Sequence, residues 1–402
     1  MCKIWDADYP WDVRVEKVVT TLAAEGWDID LVCRNERRLP RLERRGRLHI
    51  HRLPCASSAL GPVNRVLNFP YFFNPVWMRQ IAGVCRRRRP DLILVRDLPL
   101  AISGLVIGRA LGTPVVVDLA ENYPAMLRDI RRFEPFRPAN VLVRNPRMAA
   151  WIERYVVRRA DHVIVVVEEA ASRLVRLGVD PSKITIVSNT PWRRQTDDLA
   201  GTPRPADMRW GDPILMYLGN MDPGRGLDTA VRAMPIVLEA APEAHLVIIG
   251  SGTQAGALRA MTARLEVQQA VTFLGRMAHH AALSYLPHAD ICLVPHDRTE
   301  SNNTTISNKL FDYMAAGRPV LVSDCPPTAR IVRSTGCGVV FAAGDPQAFA
   351  AEARKLLDPG SRRLMGQRGF HAFRSVLHWE RDAERLVGAL AAVARPKTGA
   401  VR

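Results

Sequence analysis

The chain lacks any uncharged run of about 18 apolar residues, so nothing in it reads as a transmembrane helix. Its first residues, Met1-Cys2-Lys3-Ile4-Trp5-Asp6, lack the apolar stretch of a signal peptide. Cysteine is sparse and scattered. The seven residues Cys2, Cys33, Cys55, Cys85, Cys292, Cys325 and Cys337 form no C-x-x-C pair and leave one over, which fits reduced thiols in a cytoplasmic protein. Aromatics are only 6%, and proline and glycine follow no period, which excludes collagen and coiled coil. A hydrophobic share of 48% excludes a disordered chain. Whole classes of motif are missing as well. There is no H-E-x-x-H, no Cys/His zinc spacing, no G-x-S-x-G elbow and no P-loop, so zinc-enzyme, serine-hydrolase and P-loop functions have no support. His279, His280, His288 and His296 match no ligand spacing and are expected at the surface or at helix starts.

Acidic residues are outnumbered, 40 against 56 basic ones, for a net charge of +16. Residues 51–150 alone hold 15 basic and 6 acidic side chains, so the excess is concentrated. Such a surplus fits nucleic acid, an anionic membrane surface or a merely solvated face. No nucleic-acid motif accompanies it, and no nucleic-acid partner is expected.

What is present is an alternation of short apolar strands and amphipathic helices over 402 residues, enough for two or three domains. Strands are expected at 29–33, 92–95, 114–118, 162–167 and 184–188, and again at 214–218, 245–249, 271–274, 291–294, 319–322 and 338–341. Their Val/Ile/Leu runs suit parallel strands buried on both faces. Helical patterns lie at 14–25, 168–177, 227–240, 254–265, 279–286, 308–316 and 346–357. The fold class is therefore α/β, with doubly wound parallel sheets. A Pro- and Asp-rich stretch over residues 190–213 interrupts the period and marks a linker between two halves. Ligands of such sheets bind at the carboxyl ends of the strands.

Three segments of the second half carry candidate chemistry. After the strand ending at Leu218, Gly219-Asn220-Met221-Asp222-Pro223-Gly224-Arg225-Gly226 forms a turn with Arg225 just before a helix, which suits a diphosphate. Equally, it could be a plain βα turn with a solvated Arg. Gly250-Ser251-Gly252 follows a strand without the G-x-G-x-x-G spacing of a nicotinamide site, so a tight corner is the better reading. Ser307, Asn308 and Lys309 open a helix and offer donors to an anion, and Asp312 one turn on could accept from ribose hydroxyls.

Together these segments resemble the retaining glycosyltransferases of family 4, which have the GT-B fold of two Rossmann-like domains facing across a cleft. The resemblance is carried by residues 217–227, by the strand and G-x-G at 245–252, and by Phe273-Leu274-Gly275-Arg276. Its strongest part is Asn308-Lys309-Leu310-Phe311-Asp312-Tyr313-Met314-Ala315-Ala316-Gly317-Arg318-Pro319-Val320. In the first half, residues 9–17, 91–95, 117–124 and 161–165 are similar to the family's acceptor domain. The resemblance implies an acceptor domain over residues 1–192, a linker over 193–212 and a donor domain over 213–372. Residues 373–402 would hold a C-terminal helix, with Trp379, that crosses back.

It also implies a nucleotide-sugar donor, UDP by default, and a glycan or lipid-linked acceptor in bacterial-type cell-surface or exopolysaccharide synthesis. Arg225 matches the second of the family's two diphosphate-binding basic residues, and Asn220 stands where the first is often Arg. Arg225 and Lys309 would then stabilise charge on the leaving phosphate. Asp312 closes the family's E-x7-E motif as the ribose ligand, while Thr304 replaces its first Glu and leaves the Ser301–Asn308 loop to hold the sugar. Gly219, Gly224, Gly250, Gly252, Arg276, Met277, Ser307 and Asn308 would line the donor. On the acceptor side fall Arg14, Glu121 and Asn122, with Ala120 where the family often has His. No cofactor or metal is expected, and activity should persist in EDTA. A lipid-linked acceptor would give meaning to the mixed aromatics and arginines of residues 63–89 and 126–147 as a peripheral contact with an anionic membrane; ordinary helix packing explains them equally well. Two other functions remain open on this fold, a catalytically degenerate partner subunit and a nucleotide-sugar 2-epimerase.

Overall fold

The computed structural model describes residues 1–54, 72–133, 144–194, 199 and 201–394. The chain divides into two compact units, Met1–Ser188 with Asp382–Arg402, and Asn189–Arg381. Among the described residues no helix is long and apolar enough to cross a membrane.

In the first unit, strands β1 (Cys2–Ile4), β2 (Ile29–Cys33), β3 (Leu42–Arg45), β4 (Leu48–Arg52), β5 (Ile93–Arg96), β6 (Val115–Leu119), β7 (His162–Val165) and β8 (Ile184–Ile186) form one sheet. Its order is β3-β4-β2-β1-β5-β6-β7-β8, parallel except for the β3–β4 hairpin. Helices α1 (Val13–Ala24), α2 (Pro75–Arg88), α3 (Ala101–Leu111), α4 (Tyr123–Phe133), α5 (Pro146–Arg159) and α6 (Glu168–Arg176) accompany it. Asp12 caps α1, and Asn74 and Asn145 cap α2 and α5 ahead of a proline in the first turn, where its missing N–H costs nothing. The described aromatics of residues 72–89 divide between core and surface. Trp77 and Phe72 are buried, so packing accounts for them, whereas Phe73 and Arg86 to Arg89 are exposed. Residues 63–71 and 134–143, with Arg65, Leu67, Phe69, Tyr71, Phe136 and Arg137, lie outside the described residues.

The second unit holds β9 (Ile214–Leu218), β10 (His245–Ile249), β11 (Val271–Gly275), β12 (Ile291–Val294), β13 (Val320–Ser323) and β14 (Gly338–Phe341) in an all-parallel sheet. Between and after them come α7 (Leu227–Ala240), α8 (Ala255–Arg264), α9 (His279–Leu283), α10 (Asn308–Ala315), α11 (Pro326–Thr335), α12 (Pro346–Arg354), α13 (Pro359–Ser375) and α14 (Trp379–Val393). The strand order β11-β10-β9-β12-β13-β14 is the 3-2-1-4-5-6 order of a Rossmann sheet. Its core gathers Leu215, Tyr217, Leu227, Val231, Met234, Ile248, Leu293 and Phe349, each contributing roughly 1.5–3 kcal/mol of burial where aliphatic or aromatic.

The C-terminal helix expected within residues 373–402 does not start at 373, because a break separates α13 from α14. Val376 ends α13 by donating to the Ala372 carbonyl, and the Trp379 N–H leaves the helical ladder for the Pro191 carbonyl at 2.8 Å. Trp379 is fully buried and packs edge-on against Trp192, while Glu380 accepts the Arg193 N–H at 3.2 Å. From Asp382 onward α14 belongs to the first unit.

Candidate active site

A doubly wound sheet opens a crevice where its strand order reverses. In the second unit that point lies between β9 and β12, so the loops after Leu218 and Val294 flank it. Gly219 follows β9 with φ +137°, a conformation that L side chains rarely adopt, and an added Cβ would overlap the Lys309 side chain. A bare backbone here is what lets the lysine stem cross the strand end. Its Nζ lies 5.4 Å from the centre of the Tyr217 ring, whose hydroxyl donates to the Asn220 carbonyl at 2.8 Å.

The turn bearing Arg225 is held on two sides. Asp222 accepts from the N–H and hydroxyl of Thr253 at 3.0 and 3.2 Å, and Met221 exchanges backbone hydrogen bonds with Ser251 and Gln254. On the other side the Asn302 amide donates to the carbonyls of Gly224 and Asp297 at 3.0 and 2.9 Å. Gly226, at φ +64°, sits so close to the Pro295 carbonyl that any Cβ would overlap it. The half-exposed Arg225 guanidinium itself takes no hydrogen bond or ion pair among the described residues.

Lys309 belongs to the first turn of α10, whose N-cap Ser307 makes no side-chain cap bond, leaving the first amides for a ligand. The Tyr313 hydroxyl of the same helix accepts the Leu218 N–H at 3.0 Å and so fixes α10 to β9. Burial of the ammonium, and next the Arg225 charge, push the Lys309 pKa down to about 7 against the opposing pull of Asp312. Two cations, one permanent and one titrating near neutrality, thus meet the uncapped amino end of α10.

The remaining donor-side residues lie around the same strand ends. Gly250 donates to the Gly275 carbonyl, and Gly252 packs on the Met221 backbone. Asn220, Arg276 and Asn308 are exposed, while Met277, Ser307 and Asp312 are half-buried. In the 301–308 loop, Asn302 is spent on backbone carbonyls and Thr304 is buried with its hydroxyl on the Glu300 carbonyl. His296 corrects the expectation for its group. It is 5% exposed rather than superficial, whereas His279 and His280 are exposed at the start of α9.

In the first unit the expected residues fare unevenly. Arg14 does not face solvent. It is 3% exposed, pairs with Asp118 at 2.6 Å and donates to the Val187 carbonyl at 2.9 Å. Burial pushes the Asp118 carboxyl up, yet Arg14 and then Arg96 outweigh it and hold it well below the usual range. Asn122 is buried and its side-chain oxygen accepts the Ala125 N–H at 3.2 Å, so it shapes the start of α4, while Glu121 is exposed. The reversal of strand order here lies between β1 and β5, and it brings together Asp6, Arg96 and Asp97, which pattern reading passed over. Their signal is position, since both segments directly follow a strand. Burial, then Asp97, lifts the Asp6 pKa to about 6. A cavity of about 890 Å³, lined among others by Arg109, Thr113, Tyr155 and Arg159, opens at the opposite, amino edge of β6 and β7. Ligands of such sheets sit instead at the carboxyl edge.

The family described as Glycosyl transferases group 1 matches residues 212–359, and the Glycosyl transferase 4-like domain matches residues 12–190. By fold and by both matches, the chain belongs to the GT-B glycosyltransferases. The chain is 29% identical over 250 residues to the D-inositol 3-phosphate glycosyltransferase of Acidothermus cellulolyticus, covering 59% of this chain and 54% of that protein. It is 28% identical over 214 residues to the GDP-mannose-dependent monoacylated alpha-(1-6)-phosphatidylinositol monomannoside mannosyltransferase of Corynebacterium glutamicum, covering 52% and 55%. These matches span little more than half the length of either relative. The solved sucrose-phosphate synthase of Thermosynechococcus elongatus shares the fold at a TM-score of 0.75 and 20% identity, covering 98% of both chains.

Proposed function

We propose that the chain transfers a sugar, with retention, from a nucleoside diphosphate-sugar to a glycan or lipid-linked acceptor in cell-surface or exopolysaccharide synthesis. The observation that carries this is the convergence of Arg225, Lys309 and the uncapped start of α10 on the strand-order reversal of the second unit. Arg225 and Lys309 hold the diphosphate and take up the charge that grows on the leaving phosphate, a stabilisation realised most in the transition state. Asp312 accepts from the ribose, and the turns at Gly250–Gly252 and Gly275–Met277 flank the base. The first unit supplies the acceptor surface, with the Asp6–Asp97 crevice as its polar edge. Exposed Phe73 and Arg86 to Arg89 support a peripheral contact with anionic lipid, which flotation with anionic and neutral liposomes tests.

The deciding experiment is a thermal-shift screen with UDP, GDP, ADP and TDP and their sugar conjugates. A ligand at a hundred times its Kd stabilises by about 2.7 kcal/mol. UDP is the default base, and the GDP-mannose dependence of the Corynebacterium relative makes GDP the second candidate. One responding nucleotide supports the site, and transfer should continue in EDTA. If folded protein responds to none of them, the degenerate partner subunit replaces the enzyme.

A further inference from the structure

β12 ends at Val294, on one flank of the strand-order reversal, and two residues on stands His296. Its backbone is fixed from several directions. The His296 carbonyl accepts the Ser323 hydroxyl at 2.6 Å and the Cys325 thiol at 3.5 Å. Next to it Asp297 donates its N–H to the Gly224 carbonyl at 3.1 Å, and Pro295 lies under Gly226. His296 therefore sits directly beneath the turn that presents Arg225. Its Nε2 is buried and has no hydrogen-bond partner among the described residues. An orphaned buried polar atom costs about 1–3 kcal/mol, so an unpartnered ring nitrogen here calls for an explanation.

Its charged surroundings are one-sided. Burial comes first and the charges of Lys309 and Arg225 next in holding the imidazole neutral. Other titratable groups of this cluster are the Asp297 carboxylate, set against Gly226, Asp312 beside Lys309, and the Cys325 thiol, pushed up to about 11 by burial with Asp324 and Arg298 near it. A neutral imidazole thus stands within electrostatic reach of both cations, and Lys309 also meets Asp312 and the Tyr217 ring.

We propose that His296 is a positioning residue of the anion site, an uncharged imidazole that acts through Lys309 and Arg225 by giving their charges a polar neighbour within the buried crevice. A buried ammonium is expensive without such a dipole. The imidazole keeps Lys309 chargeable without adding a third positive charge that would drive it neutral. This rests on the diphosphate reading of the same site.

The test measures UDP affinity by titration calorimetry between pH 5 and 9, with GDP as a second probe and the phosphate's own titration taken from Lys309→Met. The variants are His296→Leu, His296→Met and His296→Asn, with Lys309→Met as reference. His296→Leu and His296→Met should weaken binding at pH 7 about tenfold and move the pH midpoint about one unit to acid. His296→Asn, neutral and polar, should stay within about threefold of wild type with its midpoint in place. A merely structural histidine would lower the melting temperature and leave the midpoint alone. The inference is overturned if either apolar variant binds as wild type does, or if His296→Asn loses as much as they do. If wild type binds neither nucleotide and Lys309→Met changes nothing, the diphosphate site itself is wrong. Should His296→Leu fail to fold, the more adaptable Met and the polar Asn still decide the matter.

Discussion

Nucleotide affinity should fall steeply as pH rises above neutrality, because Lys309 must be charged to hold a diphosphate. Its pKa is about 7 in the free protein, against an ordinary 10.5. A bound diphosphate supplies the missing counter-charge and returns the pKa towards its ordinary value. The complex therefore holds more protons than the free protein, and by linkage affinity is lost as protons become scarce. Half of the Lys309 side chains are charged at pH 7 and about one in a hundred at pH 9, so UDP binding should weaken about fifty-fold across that window, or about 2 kcal/mol. The window starts at pH 7 because a terminal phosphate with its second pKa near 6 is by then largely ionised. Titration calorimetry at constant ionic strength measures the slope, and repeating it in buffers of different ionisation enthalpy counts the protons taken up. Lys309→Met should bind weakly and without slope. A flat wild-type line, or an unchanged slope in Lys309→Met, would refute the assignment of Lys309 to the phosphates.

Three further outcomes follow from the geometry. Gly219→Ala should abolish transfer while the protein still folds, since the added methyl displaces the Lys309 stem; retained nucleotide binding would contradict that placement. Lys3→Met should stabilise the protein by up to about 3 kcal/mol at pH 7, because burial holds Lys3 at about 8 and its ammonium has no hydrogen-bond partner among the described residues. That gain should shrink as pH climbs from 8 to 10.5, where wild type itself gains stability by shedding the proton, and urea titrations at pH 7 and 10 compare the two. Asp118→Asn should cost about 3–5 kcal/mol by removing the buried carboxylate that pairs with Arg14, while Arg96 keeps Asp97, with denaturant midpoints as the measure.

The second unit was the more legible in sequence, and the cause is physical. β9, β10, β12 and β14 are short runs of Val, Ile and Leu with turns at each end, and their bounds fall where the hydrophobic pattern puts them. α7 likewise shows its buried face at helical spacing. The hairpin of β3 and β4 escaped because Leu42–Arg45 is mostly exposed and reads as a charged loop. Helices α2, α4 and α5 carry so many arginines that their apolar stripe is easily taken for a surface mixture, although Trp77 and Ile81 of α2 are fully buried. Within the candidate site, Arg225, Lys309 and Asp312 were visible because they stand in contiguous motifs. Asp6, Arg96, Asp97 and His296 were not, because only the order of strands in space brings them to a reversal point. Arg14 lies in a recognisable segment, yet its buried partner Asp118 is 104 residues away.

The chain passes between its units twice, just after Ser188 and again at Asp382. The two passages are bonded to each other through the Trp379 N–H and the Pro191 carbonyl, the Arg193 N–H and Glu380, and the paired rings of Trp192 and Trp379. Within the second unit, its first and last residues therefore hold each other in place. Deleting the chain from Trp379 onward would strip the first passage of its support as well as removing a helix. A mutation at Trp192 would therefore be felt nearly two hundred residues along the chain, at Trp379.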